Sequence, residues 1–358
     1  MRHIPLSLDD QKPGAIRRRL IETWLKTAVG YLGMGALILG AFKLFGSTYH
    51  FQLGFGLLWI FLPAVMWWFS AKVALMMTKS VPADPTNPEH KRLIDIVHRV
   101  WLKSGLKHEP PVYISDNPLP NAFATGPIHR KAVVAATKGL FLIGLTEDEI
   151  EAVFAHELGH VRNYDVGINS MLAMMSSIFF LIVDAGVRIL LGGLSIFRSV
   201  LGIKPKAKGE PQGFFITLSG ILMNIAMYAV FWLTGQMTKV IQMFVVRSRE
   251  SGADATGAWM TQNPCALVTG LEKLVAYVEK NRPKGQEKEL LRALRPIMTI
   301  DPLYDAVAAD PKPVGLLQRL KAFWKWLMLS HPTVPDRVRQ LERMAGGVCP
   351  RPSTTRQA

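Results

Sequence analysis

Two histidines four residues apart with a glutamate beside the first, His156-Glu157-Leu158-Gly159-His160, are the side chains of this sequence best suited to chemistry. On a helix, positions i and i+4 share a face. His156 and His160 can therefore offer two imidazole nitrogens to one metal ion while Glu157 faces the water beside it. This HExxH arrangement is the core of a zinc hydrolase, with the glutamate as general base. Two imidazoles leave a catalytic zinc one protein ligand short. Glu250 is the natural third, in the later run Val246-Arg247-Ser248-Arg249-Glu250-Ser251-Gly252-Ala253-Asp254, and Asp254 one turn on can accept the second ring N–H of a ligating histidine. Arg249 is expected to pair with Asp254 or Glu250, or else to meet substrate.

Positioning these groups requires two helices. Thr146-Glu147-Asp148-Glu149 reads as a capping box that starts the motif helix, and Ile150, Val153, Phe154 and Val161 give that helix a core face. Ala155 and Gly159 are small enough to let another element approach closely. Residues 237–259 carry Glu250 on a second helix. Upstream, 87–104 has the pattern of an amphipathic helix with Leu93, Ile96, Val97, Val100 and Trp101 on one face and Gly105 closing it, and His98 beside that face is read as structural. Short extended runs follow at 111–114, 121–125 and 132–137; the last two form a β-hairpin. Either the strand containing Asn121, Ala122, Phe123, Ala124, Thr125 and Gly126 or the strand at 132–137 would offer an unpaired edge to an extended polypeptide.

The remainder of the chain is unusually apolar. Of 358 residues 49% are hydrophobic and 19% charged, with 42 Lys and Arg against 27 Asp and Glu. The balance suggests a membrane protein whose basic parts face anionic lipid headgroups; no aromatic and basic module points to nucleic acid. Residues 1–26 form a basic cytosolic tail, 27–71 a transmembrane hairpin with spans at 27–45 and 51–71, and 72–167 the first part of a catalytic domain, entered through a linker marked by Pro82, Pro85 and Pro88. A second hydrophobic hairpin at 168–234, with runs at 168–191 and 214–233, is followed by the rest of the domain at 235–345 and a flexible tail at 346–358. Asp184 and Arg188 can pair on one face of the third run, and the basic loop at 192–213 runs against the positive-inside trend. Residues 315–329 form an amphipathic run suited to a membrane surface or to the domain's own core. The only cysteines, Cys265 and Cys349, exclude a Cys-ligated zinc site and do not support a disulfide framework.

The whole pattern resembles the HtpX branch of the M48 zinc metallopeptidases. HExxH is followed, after a hydrophobic hairpin, by a glutamate within SRxREfxAD; here Val246 replaces the leading serine and Ser251 the aromatic, while both arginines, Glu250 and Asp254 stand in place. Asn121-Ala-Phe-Ala-Thr-Gly126, Ala136-Thr-Lys-Gly-Leu140, Asn263-Pro264 and Ser330-His331-Pro332 with Arg337 match further stretches, covering roughly residues 27–345. The resemblance implies an α+β, mainly α-helical integral membrane protein with a zincin-like (gluzincin) catalytic domain built around a small β-sheet. It implies one Zn2+ held by His156, His160 and Glu250, Glu157 as general base and Asp254 behind the ligands. His331 is preferred over Arg249 and Arg247 for stabilising the oxyanion. Implied partners are polypeptide substrates, above all misfolded or damaged membrane proteins, and the lipid bilayer. The implied location is a bacterial inner membrane with the catalytic domain facing the cytoplasm. A catalytically silent membrane scaffold and a CaaX-type prenyl-protein protease are the alternatives.

Overall fold

A computed structural model describes residues 67–166, 211–281 and 331–351 continuously, with scattered positions between 21 and 65 and between 315 and 327. For most of 211–231 only the backbone is described. In chain order the elements are α1 (Ser70–Met77), β1 (Val81–Pro82), α2 (Pro88–Ser104), β2 (Val112–Ser115), β3 (Ala122–Thr125), a 3-10 turn (His129–Lys131), β4 (Val133–Thr137), α3 (Gly139–Leu142), α4 (Glu147–Arg162), α5 (Pro211–Thr261), α6 (Pro264–Lys280) and α7 (Val334–Ala345). Helices around one small sheet make the fold α+β and mainly helical.

The chain divides into two compact units. The first holds residues 1–28, 64–171 and 243–358, and the second 29–63 and 172–242. In the second, Thr234, Thr238 and Gln242 are buried at four-residue spacing and so share one face of α5. Among the described residues no helix is long and apolar enough to cross a membrane. The run expected to span at 27–45 lies partly outside the described residues, and those at 51–71 and 168–191, the side chains of most of 214–233 and the amphipathic run at 315–329 lie largely outside them.

Local chemistry explains the helices of the first unit. Asn87 caps α2 by accepting from the amides of Glu89 and His90, Pro88 opens the helix where its missing N–H costs nothing, and Gly105 ends it at φ 72°. Leu93, Ile96, Val97 and Val100 then bury the face that the periodicity marks. The α4 capping box is formed on both sides: the Thr146 hydroxyl accepts from the Glu149 amide, and the Glu149 carboxylate accepts from the Thr146 amide at 2.8 Å. Glu149 also receives Lys273 of α6 at 2.7 Å, which joins the start of α4 to α6. Ile150, Val153, Phe154 and Leu158 of α4 pack with α2, with Leu267, Leu271 and Leu274 of α6 and with Leu341 and Met344 of α7 in one apolar core.

The sheet has the order β1-β2-β4-β3, with β2 and β4 parallel and the two outer pairs antiparallel. β4 is therefore an inner strand, and the expectation that 132–137 could offer a free edge is corrected: β2 occupies one side of it and β3 the other. β3 is the edge. Its register with β4, Ala122 opposite Ala136 and Ala124 opposite Val134, and the bond from Thr137 N to the Asn121 carbonyl turn Asn121, Phe123 and Thr125 toward β4. The polar groups of Ala122 and Ala124 face away from it.

The cysteines give a second correction. Cys265, at the start of α6, and Cys349, just past the end of α7, form a disulfide. The long sequence separation concealed it, because the pair meets only when α6 and α7 pack side by side.

Candidate metal centre

The motif helix α4 and the end of α5 touch backbone to backbone, and glycines permit it. A Cβ added to Gly159 would stand 3.0 Å from the Ala253 carbonyl, and one added to Gly257 would stand 2.8 Å from the amide nitrogen of His156. At that separation the imidazoles of α4 reach the carboxylate of Glu250. His156 Nε2 lies 3.5 Å from Glu250 Oε2, and His160 Nε2 lies 3.4 Å from Glu250 Oε1. The two rings stand edge to face, with centroids 4.7 Å apart. All three residues are buried, and one donor atom from each lies within 4.8 Å of the others.

The opposite side of each ring is fixed by an acid. His156 Nδ1 is 2.9 Å from Asp254 Oδ1, and His160 Nδ1 is 3.0 Å from Asp165 Oδ2. A carboxylate accepts at Nδ1, so each ring carries its proton there and turns the Nε2 lone pair toward the common point. Both acids are themselves held by arginines. Arg337 of α7 donates to Asp254 from Nε at 3.0 Å and from Nη2 at 2.7 Å, and Arg249 donates to Asp165. Arg337 Nη2 also lies 3.4 and 3.5 Å from the two ring nitrogens of His156, and its Nη1 lies 3.7 Å from Glu250 Oε2.

The electrostatics match a site that expects a cation. Burial raises the Glu250 carboxyl, but His331 and His160 outweigh that effect and hold it well below its ordinary value. Burial lowers His160, yet the charges of Glu250 and Asp165 lift it well above the ordinary histidine value. Glu250 Oε2 is nevertheless buried with no hydrogen-bond partner, an orphan acceptor inside a ring of imidazoles. Ligands about 2.0–2.1 Å from a tetrahedral ion stand roughly 3.3–3.4 Å from one another. The separations of 3.4 and 3.5 Å between Glu250 and the two Nε2 atoms are close to that spacing. The residues present fit a four-coordinate metal with one position left open.

Glu157 sits beside this cluster, also buried, with Oε2 accepting the amide of Ala124 on β3 at 3.1 Å. The edge strand and the motif helix are thereby joined at the glutamate. Of the residues singled out on the strand, Asn121 precedes it, Ala122–Thr125 form it and Gly126 ends it, all buried. His331 reaches the cluster, with Nε2 3.6 Å from Glu250 Oε1. Arg249 is corrected: its partner is Asp165, not Asp254 or Glu250, and it is fully buried. His98 lies apart on α2, paired with Glu109 at 3.0 Å.

Two residues of the site were not assigned a role from the sequence. Arg337 was noted only as part of a matching stretch, although an arginine six residues after His331 shares a short segment with it. Asp165 follows the motif by five residues. What returns it to His160 is a turn at Tyr164, whose φ of 60° nothing in the residue type announces.

Comparison with known proteins agrees in extent. The model for peptidase family M48 matches residues 87–345. The chain is 31% identical over 329 residues to the protein named Protease HtpX homolog of Tropheryma whipplei strain Twist, covering 92% of this chain and 97% of that one. It is 28% identical over 319 residues to the Protease HtpX homolog of Syntrophobacter fumaroxidans, covering 89% and 98%. Among solved structures, the S. mikatae Ste24p crystal structure aligns with a TM-score of 0.36 at 19% identity, over 90% of this chain and 67% of that one.

Proposed function

Because the chain belongs to peptidase family M48 and is a metallopeptidase acting on polypeptides, we propose that it is a membrane-anchored zinc endopeptidase whose ion is held by His156, His160 and Glu250. Zinc is favoured by the ligand set, two imidazoles and a carboxylate whose donor atoms lie within 4.8 Å of one another. The observation that carries the reading is the convergence of the two Nε2 atoms on one carboxylate while both Nδ1 atoms are bound by acids.

Bound there, zinc would polarise the scissile carbonyl and acidify a water molecule. The protein's own groups do the rest. Glu157 takes a proton from the attacking water and delivers it to the leaving amine, and the Ala124 N–H on its Oε2 ties it to the edge strand. Asp254 and Asp165 keep the ligating rings in one tautomer and orientation. His331, beside Glu250, is the donor we assign to the developing oxyanion. β3 aligns the substrate: a polypeptide lying extended beside this strand would bind through backbone hydrogen bonds, which tolerate many sequences.

The anchor rests on the apolar runs at 27–45, 51–71, 168–191 and 214–233. They favour substrates in or near the bilayer, such as misfolded or damaged membrane proteins. Lys12, Arg17, Arg18, Arg19 and Lys26 before the first run assign the tail, and with it the catalytic unit, to the cytoplasmic face of a bacterial inner membrane.

The test is casein cleavage by the full-length protein, purified in detergent with zinc. Glu157→Gln should lower the rate by about 100-fold or more while zinc stays bound, since a general base contributes on the order of 10²–10⁴. Cleavage at the parental rate removes Glu157 from the reaction.

A further inference from the structure

The second apolar run, 51–71, ends just after Trp67-Trp68, and α1 continues from it. Helical bonds cross the boundary, from Phe69 N to the Val65 carbonyl and from Val73 N to the Phe69 carbonyl. Trp68, Lys72 and Met76 recur every four residues and share an exposed face, with Phe69 and Met77 beside them. Met76 keeps 69% of its surface uncovered, while Ser70 and Ala74 are buried on the opposite side of the helix. Neighbouring exposed apolar groups of this size mark a surface that meets something other than water.

The sheet holds the helix in that orientation. Ala74 packs with Phe123 of β3 and Ala135 of β4, and the Thr78 carbonyl accepts from the Ser115 hydroxyl of β2 at 2.6 Å. Around the outer face stand cations. Lys72 and Lys79 are exposed, the Lys131 ammonium lies 3.6 Å from the centre of the Trp68 ring, and Arg130 beside it is exposed. The sequence has no acid from 51 to 83 or from 117 to 146. Rings among flexible cations suit a bilayer interface, where the rings sit at headgroup depth and the ammonium groups reach phosphate. Residue 71 and Lys79 are separated by about 12 Å at helical rise, close to the reach of an anionic surface potential of roughly 8–10 Å. A polyanion in water would satisfy the cations but leave Phe69, Met76 and Met77 against polar groups; a bilayer surface accommodates both.

We propose that the outer face of α1, together with Arg130 and Lys131, docks on anionic phospholipid headgroups, with Trp68, Phe69, Met76 and Met77 entering the interface and the cations meeting the phosphates. The proposal rests on the membrane-anchored reading and deepens it: it names the surface of the catalytic unit that meets the bilayer and the lipid charge it selects. Because α1 backs on Phe123, next to the residue whose amide binds Glu157, docking holds the edge strand and the general base at a set distance from the headgroups.

The experiment places full-length protein in nanodiscs of phosphatidylcholine, alone or mixed with phosphatidylglycerol, and reads the acetylation rate of each lysine by mass spectrometry. Lys72 and Lys79 should react about fivefold more slowly in the anionic discs, and high salt should remove most of that difference. Lys91 and Lys107, on and just after α2, should react alike in both. Met76→Glu combined with Met77→Glu, at two exposed positions, should abolish the protection while zinc content and unfolding temperature stay at wild-type values. Equal rates at Lys72 and Lys79 in the two discs, a difference shared by all lysines, or protection that survives in the variant would overturn the docking surface. Equal protection in neutral discs by an added polyglutamate peptide would overturn the lipid as occupant and assign the face to an acidic polypeptide. A wild-type protein that stays soluble without detergent and does not enter the discs would overturn the anchored reading itself.

Discussion

His156 and His160 are held alike by different partners, and the difference makes them separable. Asp254 is shared between His156 and Arg337 of α7, whereas Asp165 is shared between His160 and Arg249 of α5. Asp165→Asn keeps the size of the side chain but removes the charge that fixes the His160 tautomer. It also takes a charged partner from Arg249, which has no exposed surface. We expect metal affinity to fall about 10–100-fold, the usual effect of losing the partner of a ligating histidine. Competition with a chromophoric chelator measures it, and an unchanged affinity would mean that Asp165 serves the fold alone. That His156 and His160 face one point was legible because a helix translates spacing directly into a shared face. Asp165 was not, because its contact depends on one unusual dihedral angle at Tyr164. For Arg249 the sequence left pairing with Asp254 or Glu250 and contact with substrate open, and the acid it meets, Asp165, lies on a different segment of the chain.

At the scale of elements, the site depends on how closely α4 and α5 approach. Gly257→Ala would place a Cβ 2.8 Å from His156 N, against backbone that cannot move aside without carrying the histidine with it. We predict a loss of roughly 1–3 kcal/mol in stability together with weaker metal binding, read by thermal denaturation and chelator competition. Gly252 lies on the same helix, where a Cβ would meet only Asn163 Nδ2 at 3.8 Å. Gly252→Ala should therefore be neutral or stabilising by about 0.5–1 kcal/mol, and equal damage from the two substitutions would contradict close approach as the reason for Gly257. The helix boundaries were readable from caps: Asn87, Gly105 and Thr146 each terminate an element by a local hydrogen bond or dihedral angle. Strand order was not. A hairpin pattern reveals that 121–125 and 132–137 pair, but which of them faces an edge depends on β2, whose parallel pairing with β4 is non-local.

At the scale of the whole chain, the Cys265–Cys349 bond encloses the segment that carries His331 and Arg337. Closing a loop of 84 residues stabilises by about 4–5 kcal/mol in the chain-entropy description. Cys265→Ser with Cys349→Ser, or reduction by dithiothreitol, should lower the unfolding temperature of the first unit by several degrees. Identical melting of oxidised and reduced protein would show that α6 and α7 hold together without the bond. On a cytoplasmic face the pair would be kept reduced, so the comparison also separates the purified state from the cellular one. The apolar runs were plain from composition, whereas the disulfide needed the packing of two helices to bring distant cysteines together.

The central claim is that Glu250 completes a metal centre begun by His156 and His160, and metal content addresses it without requiring a substrate. Full-length protein purified in detergent, analysed by mass spectrometry for zinc, should carry one ion per chain, and Glu250→Ala should carry far less, with recovery only at high added zinc. Undiminished zinc in Glu250→Ala would remove Glu250 from the metal and contradict the site described.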